Sequence, residues 1–471
     1  MVFTSELVFI VSPGAGHLPP TMELANRLLH HDQQLSITLI ILNLSFAPKH
    51  NNETRPSTPR LRFIEISWDE STMALITPKT PISALAEHHK PRVRDIVRGI
   101  TESDSVQLAG FVVDPYCISM TDVANEFGTS TYPFYTSGAA MLGLNVYLHA
   151  RYVDEANDVT ELENLESELS VPSYVNPVPV KVLPEAALDK EGGLEMLLDI
   201  GKRLLETNGI LVNTFEEVEN HALQSVLKGN LGIPPVFAVG PVLNFEEKKK
   251  KDDDDDKSEG IMRWLNDQPE SSVVFLCFGS MGSFNEKQVA EMAVAIERSG
   301  HRFIWSLRRR PGADEKKEHP KEYERFDEVL PEGFLERTSS VGRVIGWAPQ
   351  VAVLSHPSVG GFVSHCGWNS ILESIWCGVP VGAWPLYAEQ QMNAFQLVVE
   401  LGMAAEIRMD YRMSGEMVVT AKEIESGIRK LMSDGEIRKK AKDMKEKSRY
   451  AVIEGGSSHA SIGNFIKRIK G

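Results

Sequence analysis

Cysteine is scarce in this chain: four occur in 471 residues, at Cys117, Cys277, Cys366 and Cys377, and no two are spaced as C-x-x-C. That excludes a disulfide framework and a zinc knuckle, and points to buried thiols in a reducing compartment. Long apolar runs are also missing. None reaches the ~18 uninterrupted residues of a bilayer span, and the run from Leu7 to Val11 is too short for a signal-peptide core and has no basic stretch before it. A cytoplasmic address without membrane insertion is expected. Basic charge is the third shortage: 49 Lys+Arg stand against 65 Asp+Glu, a net charge of −16. Nucleic acids and anionic membranes are met by clustered Lys and Arg, so neither is an expected partner.

What is present is ordinary globular composition, 42% hydrophobic and 24% charged, in a chain long enough for two domains or more. Apolar runs at 6–11, 37–42, 61–66, 110–113, 130–135 and 210–213 alternate with helix-like stretches at 21–30, 81–100 and 138–150. Near-continuous apolar strands between helices predict a parallel sheet covered on both faces. After a strand at 236–239 and Gly240-Pro241 comes FEEKKKKDDDDDKSEG, with no apolar residue between Lys248 and Lys257, read as a solvated linker. A second strand-helix series then starts, with strands at 273–278, 302–307, 343–345, 361–364 and 379–383 and a helix over 285–299. The fold class is therefore α/β, two similar halves joined by a charged linker. The Gly455-Gly456 pair allows a bend before a last helix at 460–470.

In open parallel sheets ligands sit beyond the carboxyl ends of the strands, so residues just after strands are the candidates. His17 follows the Gly14-Ala15-Gly16 turn and is a candidate general base, although a histidine beside a turn also serves as a cap or packing residue. Asp114 ends the strand Phe111-Val112-Val113 and can pair with His17, or cap the next helix. The segment Trp347 to Gln390 is dense in Trp, His, Asn, Ser, Glu and Gln. Its centre, SHCGWNS, sets His365, Asn369 and Ser370 at a helix start, a cradle for phosphate without a cation. Glu373 can accept from vicinal ribose hydroxyls, and Trp347 offers a face for a base. A tryptophan-rich core with a helix cap explains these residues singly, but not their gathering at two neighbouring strand ends.

This 44-residue segment resembles the nucleotide-sugar signature of plant family 1 UDP-glycosyltransferases, and PGAGHLPP and FLCFGSMGSF extend the resemblance along the chain. The similarity is to the subgroup acting on flavonoids, other phenolics and triterpenes. It implies a GT-B fold, two Rossmann-like parallel-sheet domains facing across a cleft: residues 1–241 binding the acceptor, 242–260 the charged linker, 261–454 binding the UDP-sugar, and 455–471 a helix crossing back. It also implies a monomer. By resemblance, Trp347 stacks on uracil and the backbone of Ala348 and Gln350 meets its edge. His365, Asn369, Ser370 and Ser280 hold the diphosphate, with Gly367 in the same turn, and Glu373 holds the ribose. Trp368, Glu389 and Gln390 hold the sugar, Thr136 approaches from the other half, and His17 with Asp114 is the catalytic base and its partner. A terminal Gln, here Gln390, goes with glucose, so UDP-glucose is the expected co-substrate.

The acceptor is expected among Asp114-Pro115-Tyr116 and Pro133-Phe134-Tyr135, faced by Tyr387 and Ala388, although these loops equally suit a core. Neither cofactor nor metal is expected: Asp252 to Asp256 imitates a D-x-D metal site but sits in the charged stretch. The competing readings are another UDP-sugar on the same fold, a UDP-sugar epimerase, and a noncatalytic UDP-sugar- or hormone-binding protein.

Overall fold

The computed structural model describes residues 4–12, 14, 16–42, 58–67, 82–102, 106–155, 157–228, 231–243, 252–312 and 319–470. The first half forms seven parallel strands: β1 (Thr4–Val11), β2 (Leu35–Leu42), β3 (Leu61–Ile66), β4 (Val106–Val113), β5 (Thr131–Tyr135), β6 (Ile210–Val212) and β7 (Val236–Ala238). Their order is β3-β2-β1-β4-β5-β6-β7. The second half repeats the plan with β8 (Val273–Cys277), β9 (Arg302–Ser306), β10 (Gly342–Ile345), β11 (Val359–Ser364), β12 (Val381–Ala383) and β13 (Ala404–Glu406), ordered β10-β9-β8-β11-β12-β13. Both sheets reverse direction of winding beside their first strand, between β1 and β4 and between β8 and β11. Such switch points leave a crevice at the carboxyl ends, because the flanking helices depart to opposite faces.

The strands are apolar on both sides because both faces are covered. Leu7, Phe9 and Val11 pack into one core with Leu24, Leu28 and Phe465, while Val8 and Ile10 pack into another with Val93 and Val97. In the second sheet Phe275 and Phe362 join one core, and Val274, Leu276 and Trp305 the other. Helix α1 (Leu18–His31) follows β1, its first turn set by Pro19 and Pro20 where no backbone N–H is required. Further helices are α2 (Ala139–His149), α3 (Glu216–Lys228), α4 (Asp252–Asn266), α5 (Trp368–Cys377), α6 (Gln390–Phe395), α7 (Ala421–Ser433) and α8 (Ser457–Lys470).

Three expectations need correction. The stretch 242–260 is not linker throughout. Residues 244–251 lie outside the described residues, but from Asp252 the chain is helical as α4, anchored where Ile261, Trp264 and Leu265 are buried at helical spacing. Acidic residues at a helix amino end are favoured by the helix dipole, which a reading of the run as solvated chain neglected. The last helix starts at Ser457 rather than Ala460. Phe134 is core, packed with Leu211 and Val112, and does not line a pocket.

Helix α8 lies on the first half. Phe465 is wholly buried, its ring edge-on to Tyr132 at 5.0 Å and to Phe237 at 5.5 Å. Ser458 Oγ donates to the Gly240 carbonyl, Ser457 Oγ to Glu217 at 2.9 Å, and Lys470 pairs with Asp32.

Candidate active site

The reversal between β1 and β4 brings His17 and Asp114 together. Val113 is in register with Ile10, and the Asp114 N–H donates to the Ile10 carbonyl at 2.9 Å. His17 is the N-cap residue of α1, yet its side chain caps nothing. Instead His17 Nδ1 lies 2.6 Å from Asp114 Oδ2. Asp114 serves both roles left open by its sequence position: Oδ1 accepts from the Tyr116 N–H at 2.9 Å as a cap, and Oδ2 holds the imidazole. The Nδ1–H donating to a carboxylate leaves Nε2 as the basic nitrogen. Burial pulls the His17 pKa down, but the charge and hydrogen bond of Asp114, with Glu389 adding, outweigh it, and the pKa is raised above the ordinary value. Thr136, at the end of β5, places Oγ1 3.3 Å from the same Nδ1. Tyr116 sets its ring 5.2 Å from the imidazole.

The second reversal builds the facing wall. Cys277 pairs with Ser364, so the loop after β8 and the turn after β11 are neighbours. Helix α5 begins at Trp368 with Gly367 as a cap that lacks a side chain, so its first-turn N–H groups keep no helical acceptor. His365 is buried beside this turn, its Nδ1 without a hydrogen-bond partner and its pKa lowered to about 4 by burial. It is a neutral imidazole at neutral pH. The ring is wedged between two glycines: a Cβ at Gly279 would sit 2.5 Å from Nε2, and one at Gly367 2.6 Å.

Around this turn the remaining candidates divide. Gln350 Nε2 donates to Ser370 Oγ at 2.8 Å and to Glu373 Oε2 at 2.6 Å, so these three form one group. Trp347 keeps 40% exposure, and its main-chain N–H donates to Glu322 at 3.0 Å. Ala348 is buried beside it. Trp368 is turned inward: its indole N–H donates to the Asn213 carbonyl at 2.7 Å, and its first-turn main-chain N–H is what it can offer a ligand. Gln390 Oε1 accepts from the Leu386 and Tyr387 N–H groups at 2.9 and 3.0 Å, and its side chain also hydrogen-bonds the Tyr387 side chain. Glu389 Oε1 lies 3.4 Å from Ser137 Oγ of the first half. Ala388 is exposed at φ 56°, and Tyr387 sets its ring 6.5 Å from His365.

The two walls touch. Asn369 Nδ2 donates to the Gly16 carbonyl at 3.0 Å, and Asn369 Oδ1 lies 3.4 Å from Asn213 Nδ2. Ser280 is exposed, and its carbonyl accepts from Arg308 at 2.7 Å. Sequence reading did not single out Arg308, Glu322 or Asn213. Asn213, at the end of β6, was within reach of the strand-end rule; Arg308 and Glu322 sit in charged sequence that reads as surface. Among the described residues no group of three His, Cys, Asp or Glu could hold a metal ion, and no helix is long and apolar enough to cross a membrane.

A family model described as UDP-glucoronosyl and UDP-glucosyl transferase matches residues 213–441. The chain is 69% identical to UDP-glycosyltransferase 71E1 of Stevia rebaudiana, over 99% of this chain and 98% of that protein. It is 48% identical to a putative UDP-glucose flavonoid 3-O-glucosyltransferase 3 of Fragaria ananassa, over 99% of each. The crystal structure of Medicago truncatula UGT71G1 complexed with UDP-glucose superposes with a TM-score of 0.87 at 40% identity, over 99% of each chain.

Proposed function

The chain belongs to the UDP-glucoronosyl and UDP-glucosyl transferase family and is a UDP-glycosyltransferase; from that premise we propose that it transfers glucose from UDP-glucose to a hydroxyl of a hydrophobic small molecule, a flavonoid, other phenolic or triterpene, inverting the anomeric centre to a β-glucoside. The observation that carries this reading is the 2.6 Å His17–Asp114 pair, set across the crevice from the open first turn of α5. A protein that only binds a nucleotide sugar has no use for that pair. UDP-glucose as donor is supported by the UDP-glucose complex of UGT71G1 and by Gln390 standing beside Glu389 at the start of α6.

In this reading His17 Nε2 takes the acceptor hydroxyl proton as the oxygen attacks C1 of glucose from the face opposite the diphosphate. The new C1–O bond forms as the bond to the β-phosphate oxygen breaks, and its electron pair leaves with UDP. Asp114 stabilises the imidazolium. His365, Ser370, Ser280, Asn369 and the first-turn N–H groups of α5, including those of Trp368, receive the charge that develops on the diphosphate, where donors fixed beforehand act without reorganisation. Trp347 stacks on uracil beside Ala348 and Gln350, and Glu373 takes the ribose hydroxyls. Glu389 and Gln390 hold the hexose, while Thr136 keeps the imidazole in register. Tyr116, Tyr387 and Ala388 face the acceptor. A positioned base contributes roughly 10²–10⁴-fold, so alignment of the two substrates supplies much of the remainder.

The donors facing the diphosphate are N–H and O–H groups, so the reading includes no metal and no cofactor. EDTA should leave turnover unchanged. The deciding experiment is incubation with UDP-glucose and a panel of flavonoids, simple phenols and triterpenes, read by product mass: wild type yields products heavier by one hexose, and His17→Ala yields none while still binding UDP. Full turnover in that variant would end the assignment of His17.

A further inference from the structure

Glu219 is a charged side chain buried where the two halves meet, with 2% exposure, and no part of the proposed reaction uses it. It stands where α3 departs from helical geometry, at φ −127° and ψ 37°. Its oxygens are met only by donors among the described contacts. Oε2 accepts from the Ala139 N–H at 2.7 Å, and Oε1 from the Ala140 N–H at 2.9 Å, the first two residues of α2. Oε1 also accepts from Gln396 Nε2 at 2.8 Å, just after α6 in the second half. A Cβ at Gly138 would lie 2.7 and 2.9 Å from the two oxygens, so the carboxylate occupies the space a side chain there would need.

The elements so joined are those that flank the reacting centre. The turn before α2 carries Thr136, 3.3 Å from His17 Nδ1, and Ser137, 3.4 Å from Glu389. Helix α6 begins at Gln390, directly after Glu389. A single carboxylate thus bonds the start of one element and the end of the other, at a helix amino terminus where negative charge is favoured. We propose that Glu219 is a positioning residue for the transfer reaction, setting the Thr136–Gly138 turn against both His17 and the hexose-holding end of α6. This rests on the glucosyl-transfer reading given above.

Glu219→Gln tests it, because the volume is kept while one acceptor oxygen becomes an N–H₂ group facing donors. We expect kcat to fall 10- to 100-fold, UDP affinity by calorimetry to stay within threefold, and UDP-glucose hydrolysis to rise relative to transfer. Amide exchange at Ala139 and Ala140 should quicken, a readout that needs no turnover. An unchanged kcat, unchanged exchange, or a loss of UDP affinity in parallel with kcat would each overturn the proposal. Should Glu219→Gln fail to fold, Gln396→Met removes only the contact across the halves. It is expected to lower kcat three- to tenfold at unchanged melting temperature, and an unaltered kcat would overturn the coupling. Wild-type turnover, measured alongside, tests the underlying reading separately: its absence would count against glucosyl transfer, whereas the exchange rates at Ala139 and Ala140 would still decide the role of Glu219.

Discussion

At the scale of single residues, the His17 imidazole is set by two opposed influences, burial and the Asp114 carboxylate, and the carboxylate prevails. A base must be unprotonated to act, so kcat/KM should rise with pH through an apparent pKa above the ordinary histidine value of about 6.5. Asp114→Asn removes the raising influence while burial persists. The acid limb should therefore move to lower pH and the plateau fall by on the order of 10²–10⁴-fold, as pH–rate profiles of the two proteins would show; an unmoved limb would contradict the pairing. A second residue-scale outcome concerns His365. A methyl group at Gly367 meets its Nε2 at 2.6 Å, backed by Gly279 on the other side, so the ring must leave its place. Gly367→Ala should weaken UDP binding by about 10- to 100-fold, the worth of one hydrogen bond to a charged group, measurable by calorimetry. His17, Asp114 and His365 were legible in the sequence because each stands just past an apolar strand. Glu219 and Arg308 were not, because their partners, main-chain groups and for Glu219 also the Gln396 side chain, are brought near only by the fold.

At the scale of elements, the strands buried on both faces were the most legible, since near-continuous apolar runs such as 37–42, interrupted by Thr38 alone, suit a strand covered on both sides. Strand β13 was missed: its Ala-Ala-Glu carries no branched or aromatic side chain to mark it, and it exists because β12 offers a parallel edge. The short ribbon Arg308–Arg309 with Lys321–Glu322 was equally silent, four charged residues that read as surface. Thr420 and Glu423 form a reciprocal capping box at the start of α7, remote from the crevice. Thr420→Ala should cost about 1 kcal/mol of stability and leave kcat at the wild-type value, as denaturant unfolding and initial rates would show. A drop in kcat would mean that α7 communicates with the site.

At the scale of the molecule, the repeated β3-β2-β1-β4 and β10-β9-β8-β11 orders explain why two sequences without visible repetition both place their polar residues beside a first strand. That architecture was legible from the alternation of strands and helices. The mutual fit of the halves was not, because it depends on bonds such as Trp368 to Asn213 and Asn369 to Gly16, 155 and 353 positions apart in the chain. Phe465 is the largest side chain that α8 buries. Phe465→Ala should cost about 3–5 kcal/mol and lower the melting temperature, with the early unfolding assigned to residues 457–470 by hydrogen exchange. Uniform loss of protection throughout the chain would show instead that the helix has no separate transition.

The docking of α8 also changes what the second half is. Because the chain leaves the first sheet after β7 and comes back to it through Ser458 at Gly240, residues in between form a closed excursion, entered and left at almost the same spot. Severing the backbone ahead of α4 would therefore leave the second half still tied to the first through α8, alongside the bonds of Trp368 to Asn213 and Asn369 to Gly16.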